Sequence, residues 1–211
     1  DKKNFKNIYF QDHKNQFSKG DIDLGNLSIF LKKNVFNIEK LIGKFLKNIN
    51  LIIENDNILN LNIGIKKKNY EQKINKKILE TTLVEVKDLF NKNYQNYKIM
   101  HMSINRYLIN ENIYLEFKDD LNCKNFSIEV QFISIPNNFA FDIEKVLEEF
   151  QIKVTSYLNK NYIENLFNNH NLELPIMAHK TKLGFNVNEV VIVPKNTGKK
   201  GLFEKFFQLF G

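Results

Sequence analysis

The chain has 211 residues, 43% of them hydrophobic and 13% aromatic, which predicts a globular protein with a substantial core. Its single cysteine, Cys123, excludes an internal disulfide and is typical of a reducing compartment. No run of 18 apolar residues is present, which excludes a membrane-spanning helix. The net charge of +7 suits an acidic partner such as anionic lipid or nucleic acid, although the Lys-, Asn- and Ile-rich composition accounts for part of it.

The N-terminal part, residues 1–35, is a polar lead-in whose short apolar patch, Ile8–Phe10, is consistent with a strand. A turn is predicted at Ser18–Asp21. Asn37 is a candidate N-cap for a first helix, since its side-chain oxygen can accept a free backbone amide. The apolar face of that predicted helix consists of Ile38, Leu41, Ile42, Phe45 and Ile49.

A strand is predicted next, because Leu59, Leu61, Ile63 and Ile65 alternate with Asn60, Asn62 and Gly64. The lysine run 66–68 follows it as a solvated stretch. A second helix is predicted over about Lys73–Asn91. Its apolar stripe is Leu79, Leu83, Val86 and Phe90.

Further strands are predicted at Tyr97–Ile109 and around Ile128–Phe132, with a loop at Asp119–Asn125 between them. Pro136 begins a third helix, whose stripe is Phe139, Ile143, Val146, Leu147 and Phe150. The remainder predicts an edge strand at Ile152–Leu158, a weak helix at Asn159–Asn171 and a strand at Val187–Val193.

These elements predict an α+β fold in which helices cover a small mixed β-sheet, in strand-helix-strand-strand order, followed by a C-terminal amphipathic helix. The α+β domain is assigned to residues 36–158. Residues 159–194 form an extension of undefined fold, and residues 195–211 form a basic tether and the terminal helix.

No grouping of side chains typical of catalysis or metal binding is found in the sequence. His13, His101, His170 and His179 are scattered, and His101 is interpreted as a satisfied or half-exposed sheet residue. Cys123 has no partner nearby in the sequence. The carboxylate pairs Asp119-Asp120 and Glu148-Glu149 are typical of solvated surfaces, and no phosphate-binding loop occurs. We therefore expect no enzymatic activity, no cofactor and no metal.

The last eleven residues, Gly201–Gly211, are the most informative stretch. In a helix, Leu202, Phe203, Phe206, Phe207 and Phe210 share one face, and Leu209 lies at its margin. Such a helix is roughly 14 Å long, too short to cross a bilayer but suited to lie in its interface. Lys199, Lys200 and Lys205 are positioned to contact anionic headgroups. The alternatives are that this helix docks on its own domain or in the groove of a partner.

A soluble nucleic-acid-binding module is the competing function, because a basic chain with a small sheet can bind a phosphate backbone. Against it, the lysines are spread over the whole length, and the predicted strands carry no row of exposed aromatic residues for base stacking. No nucleic acid is therefore expected as a partner.

Several stretches resemble FtsA, the actin-like protein of bacterial cell division. The strand ending in Asn62-Ile63-Gly64-Ile65, the helix 73–91, the strand 99–109 and the strand and helix 126–150 resemble the strand-helix-strand-strand insert of that family. Ser18–Ile22 and the helix from Asn37 resemble the segment that leads into the insert. The C-terminal tail is similar to the family's membrane-targeting helix.

The resemblance implies a membrane-tethered adaptor of cell division, peripheral at the cytoplasmic face of the bacterial cell membrane. The implied partners are the inner membrane with its anionic lipids, other division proteins, and neighbouring copies through self-association. The family's phosphate loops are missing from this sequence, so the resemblance implies no ATP binding for it. No partner-binding residues follow from it.

Overall fold

The structure is a computed structural model that describes residues 23–168 and 170–190, without the side chains of residues 69–72. The described residues form an α+β fold with two small sheets, which confirms the predicted fold class. The predicted C-terminal helix lies outside the described residues. In chain order the elements are α1 Leu24–Ile42, β1 Asn48–Ile53, β2 Leu59–Lys73, α2 Lys76–Asn93, β3 Tyr97–Ile109, β4 Asn112–Tyr114, β5 Asn122–Pro136, α3 Asn137–Glu148, β6 Lys153–Asn159, α4 Lys160–Leu166 and α5 Leu174–Lys182.

The chain divides into two compact units, and the Leu59–Ser134 part of the second is inserted into the sequence of the first. Unit 1 contains the described residues up to Ile58 and then Ile135–Leu183. Unit 2 contains Leu59–Ser134 and the described residues from Gly184 onward.

Unit 1 is built on a parallel pair of strands, β1 and β6, in which Asn48 is aligned with Lys153 and Ile53 with Asn159. Ile49, Leu51 and Val154 pack with α1 and α3, whereas Ile52 and Leu158 pack with α4 and α5. The two strands therefore contribute to two separate apolar clusters.

Helix α1 begins thirteen residues before the predicted N-cap Asn37. The observed N-cap is Asp23, whose carboxylate accepts a hydrogen bond from the Asn26 amide at 2.9 Å. The helix ends at Gly43, which adopts a left-handed φ of 68°. The predicted stripe through Phe45 and Ile49 was therefore wrong: Phe45 is 76% exposed and Ile49 belongs to β1.

Unit 2 has a four-stranded sheet in the order β2-β5-β3-β4. Strand β2 pairs antiparallel with β5, for example Leu61 with Phe132, and β3 pairs antiparallel with β4. Asn75 caps α2 by accepting a hydrogen bond from the Ile78 amide at 3.1 Å. The predicted stripe of α2 is confirmed, because Leu79, Leu83, Val86 and Phe90 are all buried in the core of this unit.

Other predictions need smaller corrections. Cys123 was expected in a loop but lies buried in β5, because that strand begins at Asn122. The helix predicted over Asn159–Asn171 is shorter, ending at Leu166, and α5 was not predicted at all. The strand expected at Val187–Val193 is represented in the described residues by one bridge, Ser103 to Glu189.

Candidate functional site

The predicted lipid-binding residues, Lys199 to Phe210, lie outside the described residues. The structure does describe the segment from which this tail extends, residues 186–190, which we name the tail root. Its geometry shows how the tail is attached to the folded body of unit 2.

The tail root is hydrogen-bonded to β3 through the backbone. The Val190 amide donates to the Met102 carbonyl at 2.7 Å, and the Ile104 amide donates to the Asn188 carbonyl at 2.9 Å. These bonds flank the antiparallel bridge between Ser103 and Glu189. Val190 is buried in the core of unit 2. The root is therefore an additional short strand segment of this unit.

The Asn188 side chain joins the root to two further segments of unit 2. The Tyr107 hydroxyl donates to Asn188 Oδ1 at 3.2 Å, and Asn188 Nδ2 donates to the Leu115 carbonyl at 2.7 Å. Tyr107 is fully buried, and this burial, together with the nearby Glu116 carboxylate, raises the pKa of its hydroxyl. The hydroxyl therefore stays protonated and able to donate to Asn188.

His101 and Glu189 form a buried pair between β3 and the root. His101 Nδ1 lies 2.6 Å from Glu189 Oε1, and the side chains are 1% and 14% exposed. The other carboxylate oxygen, Oε2, is buried and makes no hydrogen bond within the described part of the chain. His101 was predicted to be a satisfied or half-exposed sheet residue, and the structure shows the first: it is buried in β3 and contacts Glu189 of the tail root.

Four exposed apolar side chains lie close in sequence to the hydrogen bond between Asn188 and Leu115. They are Ile113, Leu115, Phe185 and Val187. Three exposed charged residues, Glu111, Glu116 and Lys118, lie near the first two in the sequence.

The solvent-facing side of the unit 2 sheet carries a polar network. Arg106 donates two hydrogen bonds to Glu129, at 2.9 Å and 2.6 Å. Asn105 donates to Asn62 at 3.3 Å, and Gln131 donates to Asn60 at 2.9 Å. The described side chains of this network are all polar or charged.

The remaining candidate residues do not assemble into a site in the described residues. Cys123 is buried, and no group of three or more His, Cys, Asp or Glu side chains there has metal-binding geometry. An open cleft of about 540 Å³ in unit 1 is lined in part by Glu39, Phe45 and Lys153. The Glu39 carboxylate in this cleft already has a hydrogen-bond partner, because its Oε1 accepts a hydrogen bond from the Leu46 amide at 2.8 Å. His13 lies outside the described residues.

Sequence reasoning missed the attachment of the tail root. The only local signal was the valine- and isoleucine-rich stretch Val187–Val193, which indicates a strand but not its partner. Glu189 meets His101 across 88 positions of the sequence, and no short-range pattern shows such a pairing.

None of the described helices is long and apolar enough to cross a bilayer. No protein-family model matches the chain, and no curated protein matches it significantly.

Proposed function

We propose that this protein is a non-enzymatic, FtsA-like adaptor that binds the cytoplasmic face of the bacterial cell membrane through its C-terminal helix. Its folded units then present surfaces to other division proteins. The observation that carries the proposal is the tail root. An amphipathic, lysine-flanked tail follows a segment that is bonded to β3 by backbone and side-chain hydrogen bonds.

This attachment matters because a membrane-binding helix can position unit 2 only if the segment that leads to the helix is held against that unit. The backbone bonds of Val190 and Asn188 and the buried pair of His101 with Glu189 provide that connection to unit 2. Eleven residues, 191–201, separate the tail root from Leu202, and the last eight of them, Pro194–Gly201, contain lysine, asparagine, threonine, glycine and proline only. Such a polar segment lets the helix lie in the membrane interface while unit 2 remains in water.

The expected membrane affinity is modest. Full burial of one Phe or Leu contributes about 1.5–3 kcal/mol, and a lysine near an anionic surface adds about 1 kcal/mol. Partial burial of the rings and the ordering of a short helix reduce the sum. We therefore propose that the tail binds the membrane weakly and reversibly, and that several copies in one assembly would strengthen this binding.

The order of elements in unit 2 supports the FtsA-like part of the proposal. Strand β2, helix α2, strand β3 and strand β5 follow the strand-helix-strand-strand order, with the short strand β4 folded back antiparallel on β3. In the resembling family this insert contacts neighbouring copies and the tails of later division proteins. We carry that role over as a proposal for unit 2, without assigning residues to it.

Vesicle co-sedimentation tests the membrane part. The full chain is compared with a version that ends at Thr197, on vesicles with and without anionic lipid. We expect the full chain to pellet with anionic vesicles and the shortened version to stay in solution. A matched pair of full-length variants, Phe206→Ser with Phe207→Ser against Glu204→Ser with Gln208→Ser, separates the apolar face from the polar face.

Equal pelleting of the full and shortened chains would contradict the proposal. The competing nucleic-acid function predicts oligonucleotide binding that falls steeply with salt and persists in the version ending at Thr197. Measuring both ligands in the same buffers distinguishes the two functions.

A further inference from the structure

Strand β2 is an edge strand of the unit 2 sheet. It pairs with β5 from Leu59 to Lys68, and no strand of the described residues lies along its other edge. An edge strand presents unpaired backbone amides and carbonyls to any further strand that approaches. Addition of a strand to such an edge is a common mode of protein recognition.

The apolar row of β2 is incompletely covered. Leu59, Leu61, Ile63 and Ile65 are only partly buried, although they pack on the core of unit 2. Their counterparts on β5 are completely covered: Phe132 and Val130 are 0% exposed and Ile128 is 1% exposed. A strand added beside β2 would cover the outer flank of this row, which the hydrophobic effect favours.

The usual protection against edge pairing is absent from the first half of β2. Residues 59–65 contain no charged side chain and no proline. Protection against edge pairing begins with the three consecutive lysines 66–68, and the second of them, Lys67, is paired with Glu85 of α2. The seven residues 59–65 are therefore the open part of the edge.

These seven residues alternate between apolar and uncharged non-apolar positions. Apolar residues occupy positions 59, 61, 63 and 65, and Asn62 lies at the centre. In an antiparallel pair centred on Asn62, Leu59 would face Ile65 of the second copy, and Leu61 would face Ile63 of the second copy. Asn60 would face the second copy's Gly64. Gly64 leaves room for it, because a side-chain carbon added there would meet nothing within 4 Å.

We propose that the free edge of β2 pairs antiparallel with β2 of a second copy of this chain, about a twofold axis at Asn62. A second copy is the occupant that this edge fits, because its own residues 59–65 supply a stretch of the same length that is equally free of charge. This register pairs all seven uncharged residues with each other. It also places the lysine runs of the two copies at opposite ends of the joined strands, so like charges do not face each other.

Disulfide cross-linking in the full chain, without lipid, tests the register. Two residues 62 would lie with their Cα atoms about 4.5–5.5 Å apart, which is within the range that a disulfide spans. Two residues 60 would be about 14 Å apart, because they are offset by four strand positions. Asn60 is the matched control, since it is an exposed asparagine on the same face of the same strand, and the native Cys123 is buried.

We expect Asn62→Cys to form a covalent dimer under mild oxidation, reversible by reductant, and Asn60→Cys to form no covalent dimer under the same conditions. Equal cross-linking of the two variants would overturn the register. A monomeric Asn62→Cys at high protein concentration would overturn the proposal and leave the edge to a strand of another protein. Because no lipid is present, either failure is independent of the proposed membrane binding.

A charge-swap experiment gives a second measurement that does not depend on oxidation. Asn62→Lys and Asn62→Asp each place like charges opposite one another at the twofold axis, which should weaken dimerisation on the order of fivefold. Mixing the two variants should restore it, whereas the corresponding changes at Asn60 should have little effect. Analytical ultracentrifugation with circular dichroism as a folding control provides the readout. Absence of recovery on mixing would overturn the proposal.

Discussion

The two units of this protein bury their apolar residues in different ways. Among the described residues, unit 2 has one continuous core of fifteen buried residues, to which α2, the sheet strands and Val190 all contribute. The described residues of unit 1 form two clusters, of five and four buried residues, which involve different helices. Antiparallel pairing and one helix give unit 2 a single large core, whereas the parallel pair in unit 1 supports two small ones.

This difference indicates unequal stability. Continuous burial of large side chains gives unit 2 the greater hydrophobic stabilisation. A parallel pair of strands is an uncommon basis for a unit, since parallel sheets usually have more strands and larger buried faces. We therefore expect unit 1 to unfold at lower denaturant concentration than unit 2, and the following variants test that expectation.

The largest effect is expected for Phe132→Ala in unit 2. Phe132 is completely buried and stacks on Phe90 with ring centroids 4.5 Å apart. Its removal leaves a cavity and should reduce the free energy of unfolding by about 3–5 kcal/mol. Urea unfolding followed by circular dichroism measures the loss. Hydrogen exchange should show it in the peptides of residues 59–134.

Phe141→Ala is the control, because Phe141 is 64% exposed on α3. Its effect should stay within about 0.5 kcal/mol. If Phe132→Ala lowers hydrogen-exchange protection equally in both units, then they unfold as one block and the comparison between them does not hold.

A matched change in unit 1, Leu147→Ala, should cost less. Leu147 is buried, but several of its neighbours in the same cluster, including Phe139, Val146 and Phe150, are only partly buried and can relax into the space. We expect a loss of about 2–3 kcal/mol, at the lower end for this substitution.

Hydrogen exchange should localise the effect of Leu147→Ala to peptides 135–168 and leave α2 protected. Leu41→Ala, at a position 57% exposed on α1, serves as the control. A loss as large as that of Phe132→Ala would show that the small clusters are packed as tightly as the large core.

How well the sequence predicted these regions depended on how local the signals were. The stripe of α2 and the alternation of Leu59–Ile65 are continuous periodic patterns, and both were confirmed. In unit 1 the apolar residues Ile38 to Ile49 matched a helical period across Gly43. The helix prediction therefore continued through its actual end and concealed β1.

The candidate site was less predictable for a physical reason. The bonds that hold the tail root join residues far apart in sequence, such as Glu189 to His101 and Asn188 to Tyr107. Side chains of these types occur in many surroundings, so only the assembled sheet shows their pairing. Helix α5 has weak amphipathicity and begins with Leu174-Pro175, which offered no clear stripe.

Two side-chain pairs of β3 allow a test within unit 2. His101→Ala leaves the largely buried carboxylate of Glu189 without its partner and should cost about 1–3 kcal/mol. Arg106→Ala breaks a pair with Glu129 on the solvent-facing side, where Arg106 is 47% exposed, and should cost about 0–1 kcal/mol. Hydrogen exchange at residues 186–190 should increase for His101→Ala and not for Arg106→Ala. An equal response would mean that the backbone bonds alone hold the root.

The smallest effect, and the most specific to unit 1, is expected for Tyr157→Phe at high pH. The Tyr157 hydroxyl donates to Glu144 Oε1 at 2.6 Å, so its removal should cost about 1–2 kcal/mol at neutral pH. Burial first, and then this hydrogen bond, raise the pKa of Tyr157 above its ordinary value. The unfolded chain therefore loses the phenolic proton before the folded protein does. The stabilisation is complete below about pH 10 and is lost as the pH rises through the folded-state pKa.

In urea unfolding between pH 8 and pH 11, Tyr157→Phe should flatten the alkaline loss of stability in unit 1, whereas Tyr107→Phe should do so in unit 2. An unchanged slope in both variants would show that neither hydroxyl controls the alkaline limit of its unit.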